Sequence, residues 1–319
     1  MKYKTTLRAN EPITITIGNF DGIHKGHQRL LHELSTMAQT LGCTPTMITF
    51  SPHVLMVVRP DIYVRYLTTL DEKLALAKQY GGVADSIVIM FTREVAAMTA
   101  EAFMDNLRAH FNIRGLVVGA DFHLGHNRMG DVAFLEQYGQ EHNILVRSIS
   151  LEEAEKTRIS STRIRALVNE GDITEANELL GHPVIASGIV RQGDKRGRLI
   201  GFPTANLQPD PHKLLPADGV YAVRVHVHDA AESDSQEAST VYNGVANLGV
   251  RPTFGGKERL VEAHLLDVDL DLYDKYITVE FIAHLRGEQR FSGIDALRAQ
   301  ISSDAQQARQ ILATRRVST

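Results

Sequence analysis

One cysteine, Cys43, occurs in 319 residues. An internal disulfide and a Cys-x-x-Cys metal pair each need two, so both are excluded. No run of about 18 apolar residues occurs, which leaves no candidate for a membrane-spanning helix. The opening segment MKYKTTLRANEP lacks an apolar core of the secretory kind. These absences predict a cytoplasmic protein without a membrane partner. Charge of one sign is not in excess either: 34 Lys and Arg against 38 Asp and Glu leave −4. Up to Gly181 there are 18 basic and 21 acidic residues, and beyond it 16 and 17. Neither part carries the basic field that draws nucleic acid, so any phosphate binding must be built locally. The Gly-x4-Gly-Lys-Ser/Thr pattern is missing too, which removes the P-loop route to phosphoryl transfer.

What is present is ordinary globular material, 43% hydrophobic and 23% charged. At roughly 150 residues per domain the length predicts about two domains. Ile13–Gly18 alternates β-branched residues, and Gln28–Leu41 places Leu30, Leu31, Leu34, Met37, Ala38 and Leu41 at helical spacing, with Gly42 at the C-cap. Strand-like Thr46–Phe50, Ser86–Met90, Gly115–Val118 and Ile144–Ile149 then alternate with helix-like Asp71–Tyr80, Glu101–Phe111 and Asp131–Glu141. That order predicts a parallel sheet with helices on both faces, and a ligand site where the strands end. After residue 180 strands follow one another without helices: Val184–Arg191, Gly219–His228, Thr240–Leu248, Leu260–Leu266 and Ile277–Leu285. They predict an antiparallel barrel or sandwich, closed by an amphipathic helix over Ser292–Arg309. Asp229–Ser239 is polar and acidic and reads as a loop tip.

Gly18–Gln28 reads GNFDGIHKGHQ. Its glycines let backbone approach a ligand closely, and His24 and His27 stand at a helix entrance whose first N–H groups attract anions. Imidazoles there donate to phosphate oxygens, or serve as metal ligands, although no third ligand is near. Ser160, Ser161 and Thr162 precede a helix-like stretch, where capping and phosphate binding use the same N–H groups, and Arg165 adds a permanent charge. In GRLIGFPTANL, Gly197–Leu207, Thr204 and Asn206 fit either an ordinary turn or hard oxygen ligands for Mg²⁺. Glu262, alternating with Val261 and Ala263, is a solvent-facing strand residue or a carboxylate at a barrel mouth.

The run GNFDGIHKGH resembles the signature of the bacterial bifunctional riboflavin kinase/FAD synthetase (FMN adenylyltransferase) family. VVGADFHLGHNRMGD (Val117–Asp131), ISSTRIR (Ile159–Arg165), GFPTAN, NGVANLGVRPTF (Asn243–Phe254) and VEAHLLDVDLDLY (Val261–Tyr273) follow in that family's order. The resemblance implies an α/β plus β chain. A Rossmann-like nucleotidyltransferase domain with a parallel sheet would span 1–181, and an antiparallel β-barrel riboflavin kinase domain with a terminal helix 182–319. It implies ATP-dependent phosphorylation of riboflavin to FMN, then adenylylation of FMN to FAD with release of pyrophosphate. By the same resemblance His24, His27 and Glu262 are catalytic, Glu262 as base. ATP is bound by Gly18, Phe20, Gly26, Asp121, Ser161, Thr162, Arg165 and Gly197, and Mg²⁺ by Thr204 and Asn206. The partners implied are small molecules, with homo-oligomerisation left open.

Departures from the family pattern fall at Val54, His123–Leu124, His182, Val184 and Asp274. They bear on loop shape and flavin contacts rather than on the phosphate or metal residues. They motivate one alternative: a monofunctional relative with one active half and a degenerate flavin-binding module.

Overall fold

The computed structural model describes residues 1–150, 159–192, 201–228, 239–253 and 256–314. They form two compact units, Met1–Arg65 with Leu70–Ser160, and Tyr66–Thr69 with Ser161–Thr319. Gly197 and most of the acidic segment 229–239 lie outside the described residues.

The first unit contains β1 (Tyr3–Lys4), β2 (Pro12–Ile17), α1 (Lys25–Leu41), β3 (Thr44–Ser51), α2 (Val54–Val58), α3 (Leu70–Gly81) and β4 (Asp85–Met90). It continues with α4 (Arg93–Ala96), α5 (Ala100–His110), β5 (Asn112–Gly119), α6 (Val132–His142) and β6 (Leu145–Ile149). The sheet order is β1-β4-β3-β2-β5-β6. All pairs are parallel except β1 on β4, an edge pair two residues long. Two residues carry no period to read, and the same brevity hid α2 and α4.

β2 is central and buried on both faces. Ile13, Ile15 and Ile17 pack into the core with Ile48, Ile87 and Ile89, while Thr14 and Thr16 are sealed on the other side. α1 buries Leu30, Leu31, Leu34, Met37 and Ala38, each large side chain contributing about 1.5–3 kcal/mol. It ends at Gly42 in the left-handed region (φ 63°), where the Cys43 N–H reaches the Ala38 carbonyl at 2.9 Å. α1 starts at Lys25, three residues before the sequence expectation, because His24 takes the capping place usually held by Ser, Thr, Asp or Asn. From β2 the chain builds outward through β3 to β4, then returns to add β5 and β6 on the other side of β2. That reversal makes the carboxyl ends of β2 and β5 a topological switch point, where open α/β sheets characteristically bind ligands.

The second unit contains α7 (Ser161–Glu170), α8 (Ile173–Leu180), β7 (Val184–Arg191), β8 (Ala205–Leu207), β9 (Gly219–Val227), β10 (Thr240–Thr253), β11 (Gly256–Leu265), β12 (Tyr276–Arg286) and α9 (Ile294–Thr314). The strands close into an antiparallel barrel in the order β10-β11-β8-β7-β12-β9, which settles barrel against sandwich. β8, three residues long, was not legible. β10 runs five residues past Leu248, through Gly249 and Pro252, which read as strand breakers. Packing divides the chain at Ser160/Ser161, whereas the sequence expectation is 181/182. The reason lies in α8: Asn177 donates from Nδ2 to the Phe281 carbonyl at 2.8 Å and accepts from the Val184 N–H at 2.7 Å.

α9 buries Ala305, Ala308 and Leu312 against Val220, Ala222 and Val245. Asp304, only 3% exposed, accepts from Arg286 Nε at 3.1 Å and Nη2 at 2.8 Å. Asp304→Ala leaves the largely buried guanidinium without its carboxylate and is expected to cost about 3 kcal/mol. A thermal melt of the variant checks this; an unchanged Tm contradicts it.

Candidate active sites

The first site is built on the β2–α1 connection. The Gly18 N–H reaches the Ile48 carbonyl at 3.1 Å, and a Cβ at Gly18 would meet the Phe20 ring at 3.0 Å. Phe20 (φ 49°), Gly22 (φ 85°) and Ile23 (φ 39°) turn the chain through the left-handed region, which is costly for Phe and Ile. Both side chains act as anchors, Phe20 at 2% exposure and Ile23 at 0%.

His24 caps α1, its Nδ1 accepting from the His27 N–H at 3.3 Å. With Nδ1 as acceptor, the neutral ring carries its proton on Nε2, a donor suited to phosphate oxygen. The His27 ring stacks on His24 at 3.6 Å and 15°, edge-on to Phe20 at 5.2 Å. Burial first, then the charges of His24 and Lys73, hold His27 well below the usual histidine range, so it is neutral near pH 7. Gly26 lies in the first turn of α1, where backbone N–H groups point out of the helix.

The second glycine loop leaves β5, next to and parallel with β2 in the sheet, so both loops leave the same end of the sheet. Leu124 and Gly130 bond each other's backbone at 2.8 and 3.0 Å and close a small hairpin. Asp121 is exposed before it, its carbonyl 2.9 Å from His123 Nδ1, and Asp131 beyond it caps α6. Ser161, Thr162 and Arg165 belong to the other compact unit, on the first turns of α7.

In the barrel, Glu262 on β11 is the direct cross-strand partner of Asn206 on β8. Directly opposed residues share a face, with Cβ atoms about 4.5–5.5 Å apart. Thr204, two residues before Asn206, continues that face. Thr204 and Asn206 line a cleft with Ala263, Leu265, Leu272 and Tyr273. Asn206 is 8% exposed, and its Oδ1 is buried without a hydrogen-bond partner among the described residues. An unfilled buried oxygen costs about 1–3 kcal/mol. Beside a hydroxyl and a carboxylate it suits a hard cation. Among the described residues no three His, Cys, Asp or Glu gather to hold a metal, so such a cation would take further oxygens from a phosphorylated ligand.

Two neighbours were missed in the sequence. Asn247 on β10 is the other cross-strand partner of Glu262, a relation fixed by long-range register. His264 places Nδ1 2.8 Å from the Pro203 carbonyl and its ring edge-on to Phe202 at 5.3 Å, bracing the turn before Thr204. Its spacing of two from Glu262 was the available signal.

Comparison with known proteins matches residues 6–163 to the FAD synthetase family model and 180–312 to the riboflavin kinase model. A bifunctional riboflavin kinase/FMN adenylyltransferase of Escherichia coli K12 is 38% identical over 301 residues, 94% of this chain and 93% of that one. The chain belongs to the bifunctional riboflavin kinase/FMN adenylyltransferase family. The similarly named protein of Listeria monocytogenes is 33% identical over 322 residues, covering 97% of this chain and 98% of its own.

In this chain the FAD synthetase match precedes the riboflavin kinase match, and the two compact units follow that order. A solved structure named as a macrolide-efflux protein from Streptococcus pneumoniae is 30% identical, with a TM-score of 0.80 over 93% of this chain and 94% of that one. Its name speaks of efflux; among the described residues here no helix is long and apolar enough to cross a membrane.

Proposed function

We propose that the second unit transfers the γ-phosphoryl group of ATP to riboflavin, giving FMN and ADP. The first unit then transfers AMP from a second ATP to FMN, giving FAD and pyrophosphate. The reading is supported by one juxtaposition above all: the Asn206–Glu262 pair with its unfilled amide oxygen, on the unit matched by the riboflavin kinase model.

In the kinase step the nucleophile is the terminal ribityl hydroxyl, a neutral alcohol. Its oxygen bonds to the γ-phosphorus, its proton passes to the Glu262 carboxylate, and the β–γ bridging bond breaks to release ADP. Thr204 and Asn206 would hold Mg²⁺, which when bound offsets charge on the phosphates. Asn247 lies beside the base and His264 keeps the Pro203 turn in place.

In the adenylyl step the nucleophile is an FMN phosphate oxygen, already anionic, so no base is required. It bonds to the α-phosphorus of ATP, and the α–β bridging bond breaks to release pyrophosphate. Positioning and charge compensation dominate such a step. The Nε2–H of His24, the neutral His27 ring, the start of α1 and the backbone at Gly18, Phe20 and Gly26 suit it. Asp121, Ser161, Thr162 and Arg165 are assigned to ATP at this step, Gly197 to ATP at the kinase step, with 1–181 and 182–319 as the functional division. The cytoplasm is the compartment we infer.

The test is direct. Purified protein given Mg²⁺, ATP and riboflavin should yield FMN and then FAD on chromatography, and FAD when given FMN instead. Absence of both products overturns the reading.

A further inference from the structure

We propose that Lys73 is a positioning residue for adenylyl transfer: its buried ammonium, joined through the Thr49 hydroxyl to the Asn19 carbonyl, holds the nucleotide loop and places a fixed positive charge beneath it. The inference rests on the assignment of adenylyl transfer to the first unit.

Lysine is rarely buried without a partner. Lys73, on α3, is 5% exposed, and its Nζ donates to Thr49 Oγ1 at 3.2 Å. Thr49 Oγ1 in turn donates to the Asn19 carbonyl at 3.2 Å. The charge of Lys73 also faces Asp21, 3% exposed on the same loop. α3 thus grips the loop on both sides of Phe20, the residue driven to φ 49°. A strained turn persists only where its surroundings over-determine it, and Lys73 supplies two of the restraints.

The electrostatics agree. Burial lowers Lys73 to about 8, with Asp21 opposing the change. The groups that bear on His27 are His24 at the same helix end and Lys73 from α3; the charge that bears on Lys73 is Asp21. Glu72 is buried next to Lys73 on α3, and β3 brings the Thr49 hydroxyl to the ammonium. The Lys73 charge therefore helps keep His27 neutral. It does so at a cost, because the folded protein holds the proton less tightly than the unfolded chain. A side chain that weakens the fold yet stays charged at a binding loop is serving the site.

The experiment uses the full chain as wild type, Lys73→Met and Thr49→Val. It measures FMN adenylylation and riboflavin phosphorylation from about pH 5 to 9, with thermal melts. Lys73→Met is expected to melt no lower than wild type near pH 7. It should lose roughly 30-fold in kcat/KM for adenylylation, with the acid limb shifted up by about half a pH unit as His27 protonates more easily. Thr49→Val, near-isosteric and uncharged, should lose about 5-fold with the limb unmoved. Phosphorylation of riboflavin should be unaffected in both. A wild type that makes no FAD from FMN overturns the activity assignment and this inference with it. An active wild type beside a folded Lys73→Met of unchanged rate and limb overturns this inference alone. So does an unfolded Lys73→Met together with a Thr49→Val of wild-type rate, which would mark a purely structural lysine.

Discussion

Glu262→Gln is expected to lower riboflavin phosphorylation by roughly 10²- to 10⁴-fold and to leave adenylylation of supplied FMN intact. The amide keeps the shape and the hydrogen-bonding reach of the carboxylate but accepts no proton from the attacking hydroxyl. Its neighbours Val261 and Ala263 are buried at 0% and 1% and fix β11, so the change falls on the outward face and spares the barrel. The cross-strand pairing with Asn206 and Asn247 is made by backbone and survives as well. The loss should therefore appear in kcat, with KM for riboflavin little altered. Steady-state phosphorylation with melting of the same preparation checks this. A loss confined to KM would assign Glu262 to binding instead of proton transfer.

His24→Asn should be the mirror image: adenylylation down by roughly 10²- to 10³-fold, phosphorylation unchanged. The choice of Asn matters. His24 caps α1 through Nδ1, and replacement by Ala would cost about 1 kcal/mol of helix stability besides removing the imidazole. Asn is itself a favoured cap, so it restores the bond to the His27 N–H while removing the Nε2 donor together with the ring that stacks on His27. Parallel assays of the Asn and Ala variants separate the two roles, since both should be slow and only Ala should melt lower. An Asn variant with wild-type adenylylation would exclude His24 from the chemistry.

Much of this was legible because pattern and fold agreed. Alternation in Ile13–Ile17, running into glycines and a Leu30–Met37 helical stripe, identified a strand, a phosphate-type loop and a helix in sequence order. Residue type and a spacing of two left Thr204 and Asn206 open between a turn and a pair of hard oxygen ligands, and only the family resemblance pointed to the metal. What escaped depended on tertiary register or on reversed polarity. Lys73 sits in DEKLALAKQY, where adjacent charges look like a solvated face, yet Glu72 and Lys73 are both buried at 4% and 5%. Asn247 becomes a neighbour of Glu262 only once β10 and β11 are paired. His24 was legible at a helix entrance but not as the cap itself, because imidazole is an uncommon capping group.

The two steps are assigned to separate sites, one on each unit. Mixing equal amounts of the Glu262→Gln and His24→Asn proteins with Mg²⁺, ATP and riboflavin tests this most directly. The account predicts that neither protein alone makes appreciable FAD from riboflavin, and that the mixture does. If each variant has lost both steps and the mixture yields no FAD, the two reactions share one centre and the account is wrong.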